Sequence, residues 1–432
     1  MDYRVESDIK EVRLAPRGDL HTGYHASLLE GVWQFSYNMK DAEHVFLHEH
    51  AKESPLEVLP LGEFLVFDQD PGLVHSVRLP VLGARSWVAD TDDLMIAPLC
   101  GRTFINEGVR AAIRNGSDPD FISIVRDRVR LMLSAYGHAS CAGILLRGDR
   151  ASNLHVLDTW LDYLDLRYLF PAVAAKVQYV PPAKPAIDKA SLDSKWSLST
   201  PVKVLFCGRD FESKNGHMAL RIMRRVREIF GDIEFTYVGR LPSSVAKIEP
   251  ELVTNIRQFH KLQRSEVLAL MEESHLLIHP SKFESIGISL VEAAAAGMAV
   301  VTFAGPGMEY SERIFGAQGA FLVPNNQASP DESEDAFEAA VIGAMTERAV
   351  MESMGRWNHE RSRSGPFSIS ERNRIISTVY LEALSHDGIG LSLDQLELHR
   401  ELVATRFTAE ALSELETRFM KKAGVGSSRF VI

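Results

Sequence analysis

The chain has 432 residues, of which 45% are hydrophobic and 24% are charged, so it is long enough for two domains of an ordinary globular protein. Its formal net charge of −11 argues against nucleic acid as the main partner. The three cysteines (Cys100, Cys141 and Cys207) are widely spaced and odd in number, which argues against a disulfide framework or a structural zinc site.

The first 180 residues are predicted to form a Rossmann-like domain. Their opening segment, MDYRVESDIKEVR, has no apolar signal region, and the chain has no run of about 18 apolar residues, so we expect a cytoplasmic protein. Helices are predicted over 23–37 and 119–136. Short apolar runs predict strands of a parallel sheet at 11–16, 44–48, 63–67, 85–89, 141–146 and 176–182.

The segment PPAKPAIDKASLDSKWSLST, residues 181–200, is rich in Pro, Ser, Lys and Asp and is predicted to be an interdomain linker. After it, strands and helices alternate regularly, which is typical of right-handed βαβ units on a parallel sheet. Residues 201–345 are therefore predicted to form a second Rossmann-like domain. The predicted strands are 202–208, 233–239, 275–280, 298–305 and 320–324, and the predicted helices are 216–230, 265–273 and 287–296.

The C-terminal part, residues 346–432, is predicted to be mostly helical and to pack partly on the N-terminal domain. The fold class expected from the whole pattern is α/β, with two Rossmann-like domains and C-terminal bracing helices.

Two loops of the second domain contain charged residues and glycines that are candidates for binding a ligand. Ligands of open parallel sheets bind beyond the carboxyl ends of the strands. The first predicted strand ends in Gly208-Arg209 and is followed by Lys214, and a later strand leads into the stretch FESIGISLVE. This stretch places Glu284 and Glu292 eight positions apart in a segment that is otherwise apolar enough to be buried.

The pattern around the two glutamates predicts a nucleotide-sugar site. Free backbone N–H groups at a helix start, at Ser285, Ile286 and Gly287, form a site for phosphate. A buried carboxylate needs hydrogen-bond donors, and two ribose hydroxyls would supply them to Glu292. Glu284, just before the helix, would reach the other end of the same ligand.

Arg209 and Lys214 are predicted to be the cations that stabilise a diphosphate leaving group. No metal is required in that scheme. Simpler interpretations stay open for each residue. Arg209 and Lys214 alone would be surface charges, Glu292 could pair with a buried arginine, and Glu284 could favour a helix dipole.

The stretches GRDFESKNG and HPSKFESIGISLVEAAAAGMAVV resemble the paired signatures of retaining GT-B glycosyltransferases of family 4 type, the glycosyl transferases group 1. The resemblance covers residues 200 to 325 well. It implies a GT-B arrangement with the active site in the interdomain cleft, and an N-terminal domain on the acceptor side. It also implies transfer of a hexosyl group from a nucleoside-diphosphate sugar to an acceptor hydroxyl with retention of configuration, and a UDP-sugar is the expected donor.

The resemblance also assigns roles to residues. Arg209, Lys214 and Glu284 would be catalytic, as the leaving-group cations and the carboxylate that contacts the donor sugar. In the N-terminal domain, Gly23 lies in the nearest counterpart of the family's glycine loop, RGDLHTGYH, and Asp90 lies where the family has a donor-contacting histidine. The donor-binding residues implied are Gly208, Ser285, Ile286, Gly287, Ile288 and Glu292.

Other functions stay open. A nucleotide-sugar epimerase or hydrolase would use the same site without an acceptor, and a non-catalytic protein would bind the nucleotide sugar without turnover. The run Asp90-Thr91-Asp92-Asp93 resembles the metal-binding D-x-D of GT-A enzymes, although an Asp-rich turn explains it equally. His48 and His50 have no third zinc ligand, and the tail over 388–432 is expected to contact the body, a homodimer partner or a membrane surface.

Overall fold

The protein is described by a computed structural model that covers residues 10–15, 33–36, 42–46, 63–95, 98, 119–197, 201–231, 233–284, 286–325, 329–385 and 390–391. The chain divides into two compact units. Unit 1 contains Met1–Val180 with Ile375–Ile432, and unit 2 contains Pro181–Arg374. Residues from 346 to 374 therefore belong to unit 2.

The strands are β1 (Lys10–Ala15), β2 (Trp33–Ser36), β3 (Ala42–Phe46), β4 (Glu63–Phe67), β5 (Leu73–Val77), β6 (Val81–Leu82), β7 (Ser86–Thr91), β8 (Cys141–Leu146), β9 (Val177–Tyr179), β10 (Val202–Cys207), β11 (Ile233–Val238), β12 (Arg257–Phe259), β13 (Leu276–His279), β14 (Ala299–Ala304) and β15 (Ala320–Pro324).

The helices are α1 (Pro119–Gly137), α2 (Arg150–Tyr163), α3 (Phe170–Ala174), α4 (Lys189–Lys195), α5 (Gly216–Phe230), α6 (Ser243–Ile248), α7 (Pro250–Val253), α8 (Arg264–Glu273), α9 (Ile288–Ala295), α10 (Glu309–Phe315), α11 (Pro330–Thr346), α12 (Arg348–Arg363) and α13 (Ile369–Leu384). In the part of the chain that is described, no helix combines the length and the apolar character needed to span a bilayer.

Unit 1 is built on a six-stranded parallel sheet of order β2-β1-β5-β7-β8-β9. All residues of β5 and β7 are buried, as expected for strands covered on both faces. One face packs against a cluster that includes Val129, Leu133 and Leu157 from α1 and α2. The opposite face packs against Val379 and Tyr380 of α13.

The structure corrects several sequence predictions in unit 1. Residues 33–36 form β2 rather than the end of a helix over 23–37, because Trp33 is buried beside β1. The strands predicted at 44–48 and 63–67 form β3 and β4 of a separate three-stranded sheet, in which they pair antiparallel. The sequence LVHSV of β5 was not predicted as a strand, because its His and Ser interrupt the apolar pattern.

Unit 2 is built on a six-stranded parallel sheet of order β12-β11-β10-β13-β14-β15. In sequence order within this sheet, the strands run 3-2-1-4-5-6, the arrangement of a doubly wound Rossmann fold. The order reverses between β10 and β13. Ligands of such sheets bind outside the carboxyl ends of the strands at this point.

The segment over 181–200 was predicted to be a linker, and its described part is ordered on unit 2. It contains α4, whose last residue, Lys195, is buried and donates Nζ–H to the carbonyl oxygens of Met271 and Ala296. These carbonyls lie at the ends of α8 and α9, where the last carbonyl groups of a helix lack intrahelical donors. Burial lowers the pKa of the Lys195 amine to about 7. Trp196 is also buried and donates to the Gly297 carbonyl at 3.2 Å.

The close packing of α12 against α9 and Trp196 gives a prediction for stability. A Cβ atom at Gly355 would lie 2.6 Å from Trp196 Cζ2 and closer still to the Gly297 carbonyl oxygen. Gly355→Ala should therefore lower the free energy of unfolding by about 1–3 kcal/mol through overpacking. Urea denaturation monitored by circular dichroism measures this change.

Gly343→Ala in α11 is the matched control, because the nearest atom to a Cβ there is Phe321 Cε1 at 3.8 Å. This substitution should raise the free energy of unfolding by about 0.5–1 kcal/mol. Equal effects of the two substitutions would contradict the packing described for α12.

Candidate active site

Two loops flank the point where the strand order of unit 2 reverses. The first follows β10 and contains Gly208, Arg209 and Lys214. The second follows β13 and leads into α9, with Glu284 before the helix and Glu292 inside it. Because β10 and β13 are neighbours, these loops meet at one edge of the sheet.

The first loop is a tight turn whose glycines allow close contacts. A Cβ atom at Gly208 would lie 2.8 Å from Lys214 Cγ, so only glycine lets the lysine side chain pass over the strand end. The Asp210 carboxylate accepts a hydrogen bond from Ser213 N at 2.7 Å, which fixes the turn before α5. Arg209 is exposed and has no hydrogen-bond or ion-pair partner within the described ranges.

The second loop is held by hydrogen bonds to its backbone. Glu284 N donates to the Gly307 carbonyl at 2.9 Å, and Ser281 Oγ donates to the Phe283 carbonyl at 2.9 Å. Asn325 Nδ2 donates to the Lys282 carbonyl at 2.9 Å. These bonds fix the position of Glu284 before the helix begins.

The start of α9 offers backbone donors. Gly287 has φ +63°, a left-handed conformation that favours glycine, and its carbonyl accepts from Leu290 N at 2.8 Å. The amides of Gly287 and Ile288 precede the first intrahelical bonds, so they are available to an anion. Ile286 is buried, whereas Ser285 lies outside the described residues.

Glu284 is held by two partners that converge on one oxygen. Lys214 Nζ forms an ion pair with Glu284 Oε1, and His279 Nε2 lies 3.1 Å from the same atom. The side chains of Lys214 and Glu284 are 26% and 12% exposed. The ion pair between Lys214 and Glu284 therefore joins the two loops. The family resemblance implies catalytic roles for both residues.

His279 contacts Glu284 in its neutral form. Burial lowers the pKa of His279 to about 4, with Lys214 lowering it further and Glu284 opposing the shift. His279 Nε2 also lies 3.5 Å from Ser289 Oγ, so this nitrogen faces both a hydroxyl and a carboxylate oxygen. The contact with Glu284 joins the end of β13 to the loop that follows it.

Glu292 is buried, as the alanine-rich sequence around it predicted. Its side chain is 8% exposed and forms an ion pair with Arg264 Nη2 from the first turn of α8. Burial raises the pKa of the Glu292 carboxyl, whereas Arg264 and Lys184 lower it. The alternative of an arginine partner is therefore realised, but this arginine is half exposed rather than buried.

Asp90 belongs to unit 1. It is fully buried and forms an ion pair with Arg147, whose Nη2 lies 2.7 Å from Asp90 Oδ1. Asp92 pairs with Arg78 at 2.5 Å. The role suggested for Asp90 at the donor sugar stays a prediction. Gly23 lies outside the described residues.

Among the described residues, no group of three or more His, Cys, Asp or Glu side chains is placed to hold a metal ion. His48 and His50 lie outside the described ranges. The residue that sequence reasoning missed entirely is Arg264, since nothing in its local sequence marks it as the partner of Glu292.

Comparisons with known proteins agree with this architecture. Residues 201–346 match the family described as glycosyl transferases group 1. Sucrose-phosphate synthase from Thermosynechococcus elongatus is similar in structure, with a TM-score of 0.50 and 14% identity over 72% of this chain and 74% of that chain. WaaG, a glycosyltransferase involved in lipopolysaccharide biosynthesis, gives a TM-score of 0.51 and 14% identity over 86% of this chain and 99% of that chain.

No curated protein sequence matches the chain. The structural likenesses confirm the expected fold class, an α/β protein with two Rossmann-like domains of the GT-B type. The family match concerns residues 201–346, and the structural likenesses concern the fold.

The neutral state of His279 predicts a pH dependence of stability. Its pKa of about 4 in the folded protein lies below the ordinary value of 6.5, so the unfolded chain binds the proton first as the pH falls between these values. The free energy of unfolding therefore decreases on acidification through this window. In His279→Gln this slope should be smaller by up to about 1.4 kcal/mol per pH unit.

Urea denaturation at pH 7, 6 and 5 measures the slope. His260→Gln, at an exposed position, is the control and should keep the wild-type slope. If His279→Gln also keeps that slope, His279 is not held in its neutral form in the folded protein.

Proposed function

We propose that the protein is a glycosyltransferase that moves a glycosyl group from a nucleoside-diphosphate sugar to an acceptor hydroxyl. A UDP-sugar is the expected donor, and the anomeric configuration is retained. The observation that carries the proposal is the meeting of Lys214 and Glu284 beside the start of α9, at the point where the sheet order reverses.

The diphosphate would lie between the first loop and the start of α9. Lys214 and Arg209 supply positive charge, and the amides of Gly287 and Ile288 supply neutral donors. Arg209 is exposed and therefore accessible to a phosphate. With two cations and the helix start to neutralise the leaving group, the scheme needs no metal ion, so EDTA should not abolish activity.

The two carboxylates would bind the hydroxyl groups at opposite ends of the donor. Glu292 lies one turn inside α9 and would accept from the ribose. Glu284 precedes the helix and would accept from the sugar that is transferred. Since Lys214 and His279 both contact Glu284 Oε1, the other carboxylate oxygen would accept from a sugar hydroxyl.

In the proposed reaction, the bond between the anomeric carbon and the β-phosphate oxygen breaks while the acceptor oxygen bonds to the anomeric carbon on the same face. The bonding electrons leave with the phosphate, and the acceptor proton passes to a phosphate oxygen. Lys214 and Arg209 would stabilise the charge that grows on the β-phosphate, which lowers the barrier more than it strengthens donor binding.

Donor binding gives the first test. A nucleoside diphosphate present at about 100 times its dissociation constant should stabilise the folded protein by about 2.7 kcal/mol. Thermal-shift titrations with UDP, GDP, ADP and TDP, with and without EDTA, should show this for one of them. Glu292→Ala should lose the shift.

Glu338→Ala is the control, because Glu338 is also mostly buried and paired with an arginine, Arg225, away from the site. It should keep the full nucleotide shift. If none of the four nucleotides stabilises the wild type, the nucleotide-sugar function is wrong.

Turnover gives the second test. Lys214→Ala should lower kcat by about 100- to 1,000-fold, with a smaller change in donor affinity, because its charge acts mainly on the leaving group. The release of nucleoside diphosphate from the sugar nucleotide is measured with and without added acceptors. Release from the donor alone identifies a hydrolase, and conversion of the donor to an isomeric nucleotide sugar without release identifies an epimerase.

Lys203→Ala is the control, because this lysine of β10 is similarly exposed, at 30%, and also pairs with glutamates. It should keep the wild-type kcat. A Lys214→Ala variant that loses only donor affinity would contradict the leaving-group role.

A further inference from the structure

The ion pair between Arg264 and Glu292 joins two helices at the edge of the sheet. Arg264 is the first residue of α8 and lies 28 positions before Glu292 in the chain. The arginine side chain is 51% exposed, whereas that of the glutamate is 8% exposed. The carboxylate is thus mostly removed from water, and its arginine partner remains accessible.

The charged and titratable groups that act on Glu292 come from three elements of the described chain. Arg264 of α8 and Lys184, which precedes α4, lower the pKa of Glu292 against the effect of burial. Cys207 of β10 is the third, and burial raises the pKa of its thiol to about 11, so it is neutral at neutral pH. Arg264 is the group in direct contact with the carboxylate.

We infer that Arg264 is a positioning residue of the nucleotide site, which keeps Glu292 ionised and oriented to accept the ribose hydroxyls. The inference rests on the proposed function. An ionised carboxylate has about four acceptor sites, so the bond from Arg264 leaves room for two hydroxyls. A protonated carboxyl has fewer acceptor sites and binds a diol less well.

A purely structural ion pair would behave differently. Arg225 and Glu338 form such a pair elsewhere in unit 2, with side chains 48% and 15% exposed and a separation of 2.7 Å. Ion pairs with one solvent-exposed partner at the protein surface contribute about 0–1 kcal/mol to stability. If Arg264 had only that role, its loss would leave nucleotide binding and its pH dependence unchanged.

The test is isothermal titration of full-length Arg264→Gln with UDP, GDP, ADP and TDP at pH 6, 7 and 8, beside wild type and Arg225→Gln. Without Arg264, burial should raise the pKa of Glu292 further, so the carboxyl gains a proton as the pH falls. The variant should therefore bind the nucleotide about tenfold more weakly, relative to wild type, at pH 6 than at pH 8, a difference of about 1.4 kcal/mol.

Two further variants separate positioning from direct contact. Arg264→Lys keeps the charge and should restore most of the wild-type affinity at pH 6. In a Glu292→Gln background the carboxyl cannot ionise, so adding Arg264→Gln should cause no further loss of affinity. Arg225→Gln should bind as the wild type does at every pH.

The outcomes that overturn the inference are distinct. Wild-type binding by Arg264→Gln at all three pH values shows that the pair is structural. A loss that is equal at every pH, or that persists in Glu292→Gln, shows that Arg264 does not act through Glu292. If the wild type itself binds none of the four nucleotides, the proposed function fails and this inference fails with it.

Discussion

The ion pair between Lys214 and Glu284 joins two loops that are 70 residues apart in the chain, and the candidate site depends on it. The pair can form because the strand order of unit 2 places β10 beside β13, so the loops at their carboxyl ends meet. It also requires a glycine at position 208, since any Cβ there would collide with the Lys214 side chain. The strand order, Gly208 and the Lys214–Glu284 ion pair thus bring together the residues that are predicted to bind phosphate and sugar.

Both carboxylates of the site carry a cost that the fold has to offset. A buried carboxylate loses its hydration, and the direction of the pKa shift of Glu292 shows that burial outweighs the nearby cations. The fold supplies Arg264 to Glu292, and Lys214 with His279 to Glu284. Hydroxyl groups of a bound sugar nucleotide would add further donors to both carboxylates. The buried carboxylates lower the stability of the fold, and they are suited to binding a polyhydroxylated ligand for the same reason.

The sequence predicted unit 2 well because its signals are local: apolar strands, amphipathic helices and glycines follow one another in a regular βαβ order. It also predicted that the loops after β10 and β13 follow neighbouring strand ends, which is where such sheets bind ligands. It could not predict the partners of the site residues. Arg264 reaches Glu292 from another helix, and the contact of His279 with Glu284 depends on the path of a loop. In unit 1, β2 and the polar strand β5 were missed because burial there is set by tertiary packing.

His279 lies beside Glu284, which Lys214 would have to leave in order to contact the phosphate. Lys214 is paired with Glu284, yet in the proposed reaction its charge is needed on the leaving phosphate. When Lys214 turns to the phosphate, Glu284 would lose its cation in a largely buried place, which is costly. His279 Nε2 lies 3.1 Å from the same carboxylate oxygen and would remain beside it. Burial lowers the pKa of His279 to about 4, so the imidazole is uncharged at neutral pH and does not compete with Lys214 for the charge of the carboxylate. A neutral, buried polar group beside Glu284 would thus lower the cost of moving the lysine toward the phosphate.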